Sequence, residues 1–260
     1  MATRWITGVP AALLVATTAA AVAADTSRTL LQRIEIDHFK LPRPAHVSKP
    51  LRLWATWYHV YLADAAPAGV PLPDVAGKPL SPPILGHDWC LAALQGVISI
   101  RAADGSRQTY TYESTEETEA VDCARQFPHG GPWTRAAGRS RFGVSRGPFG
   151  DGAGDYQIVP FRTLAVDTNE FPLGTVFFIP AARGLEIRLH SGRKVRHDGY
   201  FFASDRGGGI KENHVDVFVG NLQHNPFPSF VSSTPGRTFE AYIVTDERVR
   251  PHLHRLHRID

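Results

Sequence analysis

The chain of 260 residues has little cysteine: two residues, Cys90 and Cys123. Neither lies near the end of the N-terminal apolar segment, which excludes a lipid-modified cysteine there. Beyond that segment no apolar run approaches the ~20 residues that span a bilayer, so no stable membrane insertion is expected of the processed chain. Internal repeats and a sustained heptad are also missing, which rules out a solenoid or a coiled coil. The glycine-rich segment Gly150-Asp151-Gly152-Ala153-Gly154-Asp155 lacks the acidic spacing and closing glutamate of a calcium loop. The histidines follow no metal-ligand spacing, so no metal and no cofactor are expected. Basic residues are scattered without a recognition motif, and a formal net charge of +3 gives no reason to expect a nucleic-acid partner.

What is present begins with an export signal. Arg4 precedes the mostly apolar Ile6 to Ala20, and Ala21-Val22-Ala23 supplies the small-residue cleavage site, so residues 1–23 are expected to be removed. The mature protein would be soluble in the periplasm or outside the cell, and it is expected to act as a monomer. Two cysteines in an exported chain are expected to pair. A Cys90–Cys123 bridge closes a loop of about 30 residues and would stabilise by about 3 kcal/mol. A catalytic thiol is the other reading, but no histidine-containing motif marks either cysteine.

The apolar runs are short and rich in β-branched and aromatic residues, with glycine and proline between them, which predicts many short strands rather than a helical bundle. Residues 24–50 read as an extended leader broken at Pro42, Pro44 and Pro50. Leu51 to Leu62 reads as one strand, with Tyr58 or His59 near a site. Residues 63–155 read as an inserted subregion: a proline-rich loop to residue 86, a helix His87–Gln95 capped by Asp88, a hairpin Val97–Ile100 with Gln108–Tyr112, a capping-box helix Glu116–Gln126, and a glycine- and arginine-rich loop over 127–155. Trp133 and Phe142 in that loop are candidates either for stacking on sugar faces or for covering the barrel end. Strands are then expected at Tyr156–Val159, Arg162–Val166, Thr175–Ile179, Glu186–Leu189, Tyr200–Ala203, Val215–Val219 and Phe239–Val244. About six short strands around one core fit a small closed barrel. The basic residues 248–260 read as a solvated tail, or as a patch attracted to an anionic envelope polymer.

Three carboxylates stand out. Asp205 ends the apolar run Tyr200-Phe201-Phe202-Ala203-Ser204, Asp216 lies within Val215-Asp216-Val217-Phe218, and Asp167 follows Leu164-Ala165-Val166. Gly207, Gly208 and Gly209 lie between Asp205 and Asp216, where a positive φ or a close approach of ligand is expected.

These segments resemble the 3D domain, named for its three aspartates, of MltA-type lytic transglycosylases. The elements are Ala165 to Asp167, Phe171 to Thr175, Ser204 to Lys211 and Val215 to Phe218, within a similarity that covers about residues 156–244 and is weaker at Leu53 to Tyr58. The resemblance implies an all-β fold, a six-stranded double-psi barrel over 51–247 carrying the 63–155 insertion. It implies cleavage of the MurNAc–GlcNAc β-1,4 bond of peptidoglycan to a 1,6-anhydro product, with Asp216 as single acid and base. Asp205 would orient and polarise, Asp167 would hold a loop, and Lys211, Gly207, Gly208 and Tyr58 would meet the substrate. The chain departs from the family pattern at Arg206, Gly209 and Glu212. A non-catalytic, expansin-like polysaccharide-binding barrel therefore stays open beside the enzyme, as does a divalent-metal cluster on the three aspartates.

Overall fold

A computed structural model describes residues 36–232 and 234–259. The expected export signal, residues 1–23, lies outside the described residues, as does the leader as far as residue 35. By internal packing the chain divides into residues 1–38 and 39–260; all that follows concerns the second unit. In chain order its elements are β1 (Leu51–Tyr58), β2 (Tyr61–Asp64), α1 (Gly86–Gln95), β3 (Val97–Arg101), β4 (Arg107–Thr115), α2 (Cys123–Gln126), α3 (Trp133–Ala137), β5 (Ser140–Val144), β6 (Thr163–Ala165), β7 (Val176–Phe178), β8 (Glu186–Arg188), β9 (Lys194–Arg196), β10 (Tyr200–Asp205), β11 (His214–Phe218), β12 (Phe239–Ile243) and α4 (Arg250–His257).

Six strands close into a barrel in the order β1-β11-β6-β10-β7-β12. β1 runs parallel to β11 and β6 parallel to β10, while the remaining contacts are antiparallel. Two parallel pairs within one six-stranded closure match the double-psi arrangement. Three of its wall strands, β6, β7 and β10, are short runs buried along almost their whole length, because both of their faces are covered. Leu164, Phe177, Phe201, Ala203, Val215 and Val217 point into one core, while Phe202 and Tyr200 are equally buried on other faces. The C-terminal segment supplies part of that outer cover. Residues 250–257 form α4, whose His257 stacks on Phe202 at 4.3 Å and whose Leu253 and Leu256 are buried. The expectation of a solvated tail is thus corrected: leucines spaced three apart on the basic segment give it an apolar edge that docks.

Four of the other strands form a second sheet, β2-β3-β4-β5, with its own core of Trp89, Ile98, Ile100, Tyr110 and Phe142. Cys90 on α1 and Cys123 on α2 form the expected disulfide. Several local expectations differ from the result. The run Leu51–Leu62 is split at His59-Val60, so that its first part closes the barrel and its second starts the other sheet. Only the last turn of the expected helix Glu116–Gln126 is helical, because Ser114 and Thr115 are taken by β4; Asp122 caps that turn by accepting from the Arg125 amide. Asp88 does not cap α1 but accepts from the Tyr61 hydroxyl at 2.8 Å. The loop over 127–155 contains α3 and the edge strand β5, and Phe142 is fully buried against Trp89, not available to a sugar. Tyr156–Val159 makes isolated bridges rather than a strand, and β8 pairs with β9 in a ribbon apart from the barrel.

Candidate active site

Strand register brings two of the three aspartates together. Ala165, the last residue of β6, pairs with Asp216 of β11 on one side and with Asp205 of β10 on the other. A small residue between them leaves both carboxyl groups room at the mouth of the barrel. A register shift between Ala203 and Asp205 re-aims Asp205 at the end of its strand. On its other flank Asp216 faces Thr56 of β1.

The surroundings of these carboxyls are hydrogen-bonded but carry little positive charge. Asp205 accepts from the Tyr58 hydroxyl at 2.7 Å and from the Arg206 amide at 2.8 Å. Burial raises its pKa to about 6 against the lowering effect of those donors. Asp216 accepts from the Thr56 hydroxyl at 2.8 Å. Burial pushes it up to about 7, the Thr56 bond opposes that, and the negative charge of Asp205 adds to it. Both acids are raised by burial, and Asp216 also by the charge of Asp205, so the two titrate close together in the neutral range. Tyr58 is pushed well above its ordinary value, first by burial and then by the Asp205 charge, so it stays a donor.

Both acids line a cavity of about 830 Å³ that is bounded on one side by Tyr58, Ala165 and the loop Arg206 to Ile210, and on the other by Tyr112, Glu113, Trp133 and Arg146 of the second subregion. Gly207 and Gly208 line it, but their φ angles are not positive; a Cβ on Gly208 or Gly209 would meet nothing within 4 Å. Their small size keeps the cleft open. The positive φ of this loop falls on Glu212, at +54°.

Asp167 stands apart. It does not line the cavity. Its carboxyl accepts from the Glu212 amide at 3.0 Å and from the Asn169 amide at 3.0 Å, which hold its pKa below the usual carboxylate range. It therefore anchors the glycine loop, and the expectation that all three aspartates converge is corrected. Lys211 is exposed outside the cavity lining, where its charge acts on Asp167. His59 is also away from the lining, beside Trp57 and Tyr61. Among the described residues no group of three or more His, Cys, Asp or Glu side chains is disposed to hold a metal ion. Asp151, in the segment reminiscent of a calcium loop, accepts instead from the Arg146 and Gly147 amides and the Arg146 guanidinium.

Sequence reasoning missed Thr56 and His214. His214 Nε2 lies 2.9 Å from the Thr56 hydroxyl, and its ring stacks on Trp54 at 3.6 Å with 5° between the planes. The parallel pairing of β1 with β11 makes these contacts, and residues 160 apart in sequence carry no local signal of it.

A closed six-stranded barrel with a paired-acid cleft at its mouth defines the class. Residues 162–225 match the 3D domain family, so the chain carries a 3D domain. No curated protein sequence matches the chain significantly. Among solved structures, it is similar to E. coli MltA with bound chitohexaose at 16% identity and a TM-score of 0.47, over 74% of this chain and 71% of that one. It is likewise similar to the membrane-bound lytic murein transglycosylase from Agrobacterium tumefaciens at 15% identity and a TM-score of 0.44, over 78% of each chain.

Proposed function

We propose that this protein is a lytic-transglycosylase-like enzyme that cleaves the MurNAc–GlcNAc β-1,4 bond of peptidoglycan and leaves a 1,6-anhydro end. The observation that carries the reading is Asp216: a half-buried acid, raised to about 7 and facing a roomy open cleft. A general acid works best when its pKa lies near the operating pH. Asp216 would give its proton to the glycosidic oxygen as the bond from that oxygen to the anomeric carbon breaks. The sugar's own C6 hydroxyl would then add to the anomeric carbon, and the Asp216 carboxylate would take the proton that hydroxyl releases. One carboxyl serves twice, and no water enters the product. Asp205, which titrates lower, would carry negative charge beside the oxocarbenium-like transition state and help keep the proton on Asp216.

Export is part of the same proposal. It rests on the N-terminal sequence and on the Cys90–Cys123 disulfide, a bond that persists in oxidising compartments. No helix among the described residues is long and apolar enough to cross a membrane. Incubation with purified peptidoglycan tests the function directly. Anhydro-muropeptides would support the transglycosylase, new reducing ends would replace it by a hydrolase, and co-sedimentation without products would leave a polysaccharide-binding barrel.

A further inference from the structure

The basic C-terminal segment is partly neutralised by its own neighbours, since Arg248 pairs with Asp246 and Arg250 with Glu247. Residues 183–196 are different. They hold four arginines and Lys194 against one acid, Glu186, a balance of +4, whereas the whole chain carries +3. The rest of the chain therefore sums to a slight negative charge, and the positive excess belongs to this segment.

The segment forms the β8–β9 ribbon, and strand pairing sorts its side chains onto two faces. Ile187 pairs with Val195; Ile187 and Leu189 are buried in the barrel core and Val195 packs against it. Glu186 pairs with Arg196 and Arg188 with Lys194, so these four lie on the outer face, and all four are exposed. Lys194 bonds Glu186 at 2.6 Å. Arg188 and Arg196 make no ion pair; their guanidinium groups donate to the backbone carbonyls of Gly192 at 3.2 Å and Gly184 at 3.0 Å. Those bonds hold each group in place and leave most of its donors to solvent. The Lys194 bond, with the Arg196 and Arg188 charges adding to it, holds Glu186 below the usual carboxylate range, so one acid faces three cations.

The ribbon is fixed at both ends. At its root the Gly184 amide donates to the His197 carbonyl at 2.7 Å, and the His197 amide to the Leu185 carbonyl at 2.8 Å. Near its tip His190 Nε2 accepts from the Asn221 amide at 3.2 Å. The root lies at the Asp198 end of β10, a strand length of about 20 Å from Asp205. No ribbon residue lines the cleft. With its apolar side chains turned inward, the ribbon has nothing to bury in a bilayer, and its outer face suits a hydrophilic polyanion.

We infer that this outer face is a second peptidoglycan-binding surface, which takes the carboxylate groups of the peptide stems and holds the wall while the cleft works on a strand. Guanidinium forks match carboxylates in two-point contacts, and a wall presents many carboxylates at once, so weak contacts add by avidity. The choice of peptidoglycan rests on the proposed function; the cationic face does not.

The test is co-sedimentation with purified peptidoglycan, using Asp216→Asn as the parent so that the polymer stays intact. Adding Arg188→Gln, Lys194→Gln and Arg196→Gln together is expected to lower the apparent affinity about tenfold at low salt. High salt, or amidation of the polymer's carboxyl groups, should erase the difference between parent and variant. With Asp216 restored, the triple variant should cleave short soluble glycan fragments at the wild-type rate and intact sacculi more slowly. Should the triple variant fail to fold, binding of the parent to amidated peptidoglycan reads the same contact and should fall by a similar factor. Binding that is unchanged by the substitutions or by amidation overturns the inference. So does binding of the parent to vesicles of anionic phospholipid with none to peptidoglycan, because the face would then belong to a membrane. Loss of binding in the triple variant, in a protein that releases no anhydro-muropeptides with Asp216 restored, would preserve this inference and overturn the enzymatic reading.

Discussion

One strand separates two opposite treatments of a buried carboxylate. Asp198 lies two residues before β10 and Asp205 ends it, so the two acids sit at opposite ends of the barrel. At the first end, Arg162 makes a bidentate pair with Asp198 at 2.6 and 2.9 Å, with both side chains almost wholly buried. The Leu41 amide adds a further bond to Asp198, and the guanidinium lies 4.1 Å over the Phe39 ring. Burial alone would raise the Asp198 pKa, but the Arg162 charge and these bonds outweigh it and hold it low. At the other end, Asp205 and Asp216 have neutral donors and no buried cation, and both are raised. Burial matched by a counter-charge makes a structural lock, whereas unmatched burial beside an open cavity makes an acid. The 3D domain holds both within one short barrel.

The largest expected effect lies at the cleft. Asp216→Asn removes the proposed proton donor, and on that proposal activity on peptidoglycan should fall by about 10²–10⁴-fold. Its stability should move the other way. A carboxyl whose folded pKa exceeds its unfolded one disfavours folding as pH rises between the two values, from about 4 to about 7. The amide escapes that penalty, so the melting temperature of Asp216→Asn should exceed wild type at pH 8 and converge with it at pH 4. A variant less stable at pH 8 would place Asp216 among the locks.

Arg162→Met is the complementary break. It strands the Asp198 charge in the core, and loss of one partner of such a pair costs about 3–5 kcal/mol. Chemical denaturation should show that loss at neutral pH, with the cleft titrations unaltered in whatever remains folded. The sign for Asp198 is opposite to that for Asp216. Its lowered pKa contributes stability above the unfolded carboxylate value, lost as pH falls through the folded one. A smaller effect is expected from Tyr58→Phe, which removes one donor from Asp205. Bonds to charged groups contribute about 1.5–3 kcal/mol, so the lower titration of the acid pair should move up by about one unit or more. An unmoved lower titration would mean that the Tyr58 bond is not what restrains Asp205.

Much of this contrast was legible in the residues. Val215-Asp216-Val217-Phe218 reads as an acid in an apolar strand, and the apolar runs of β6, β7 and β10 read as barrel wall. The cysteine pair was legible because compartment and count left one partner each. What was not legible depended on register. Thr56, His214 and the separation of Asp167 from the other aspartates follow from which strands lie side by side, and no local pattern encodes a parallel pairing across 160 positions. The Arg162–Asp198 lock was hidden for the same reason. The central hairpin of the second sheet was legible, but its edge strand β5 was misread as loop because glycines and arginines surround it, where composition outweighs period.

The smallest expected effect tests the departure at Glu212. This chain holds a glutamate there at φ +54°, a conformation that costs a residue with a Cβ about 1–2 kcal/mol. The Glu212 amide is fixed in place by its bond to Asp167, so Asp167 is the structural compensation for that strain. Glu212→Gly should raise stability by at most about 1 kcal/mol, because glycine also gains freedom in the unfolded chain. The same substitution should lessen the damage done by Asp167→Asn, since a relaxed loop needs its anchor less. A double-mutant cycle on melting temperature reads this coupling. Additive effects would mean that Asp167 stabilises something other than the left-handed turn, and that the loop carrying Gly207 to Gly209 beside Asp216 is held by its own packing.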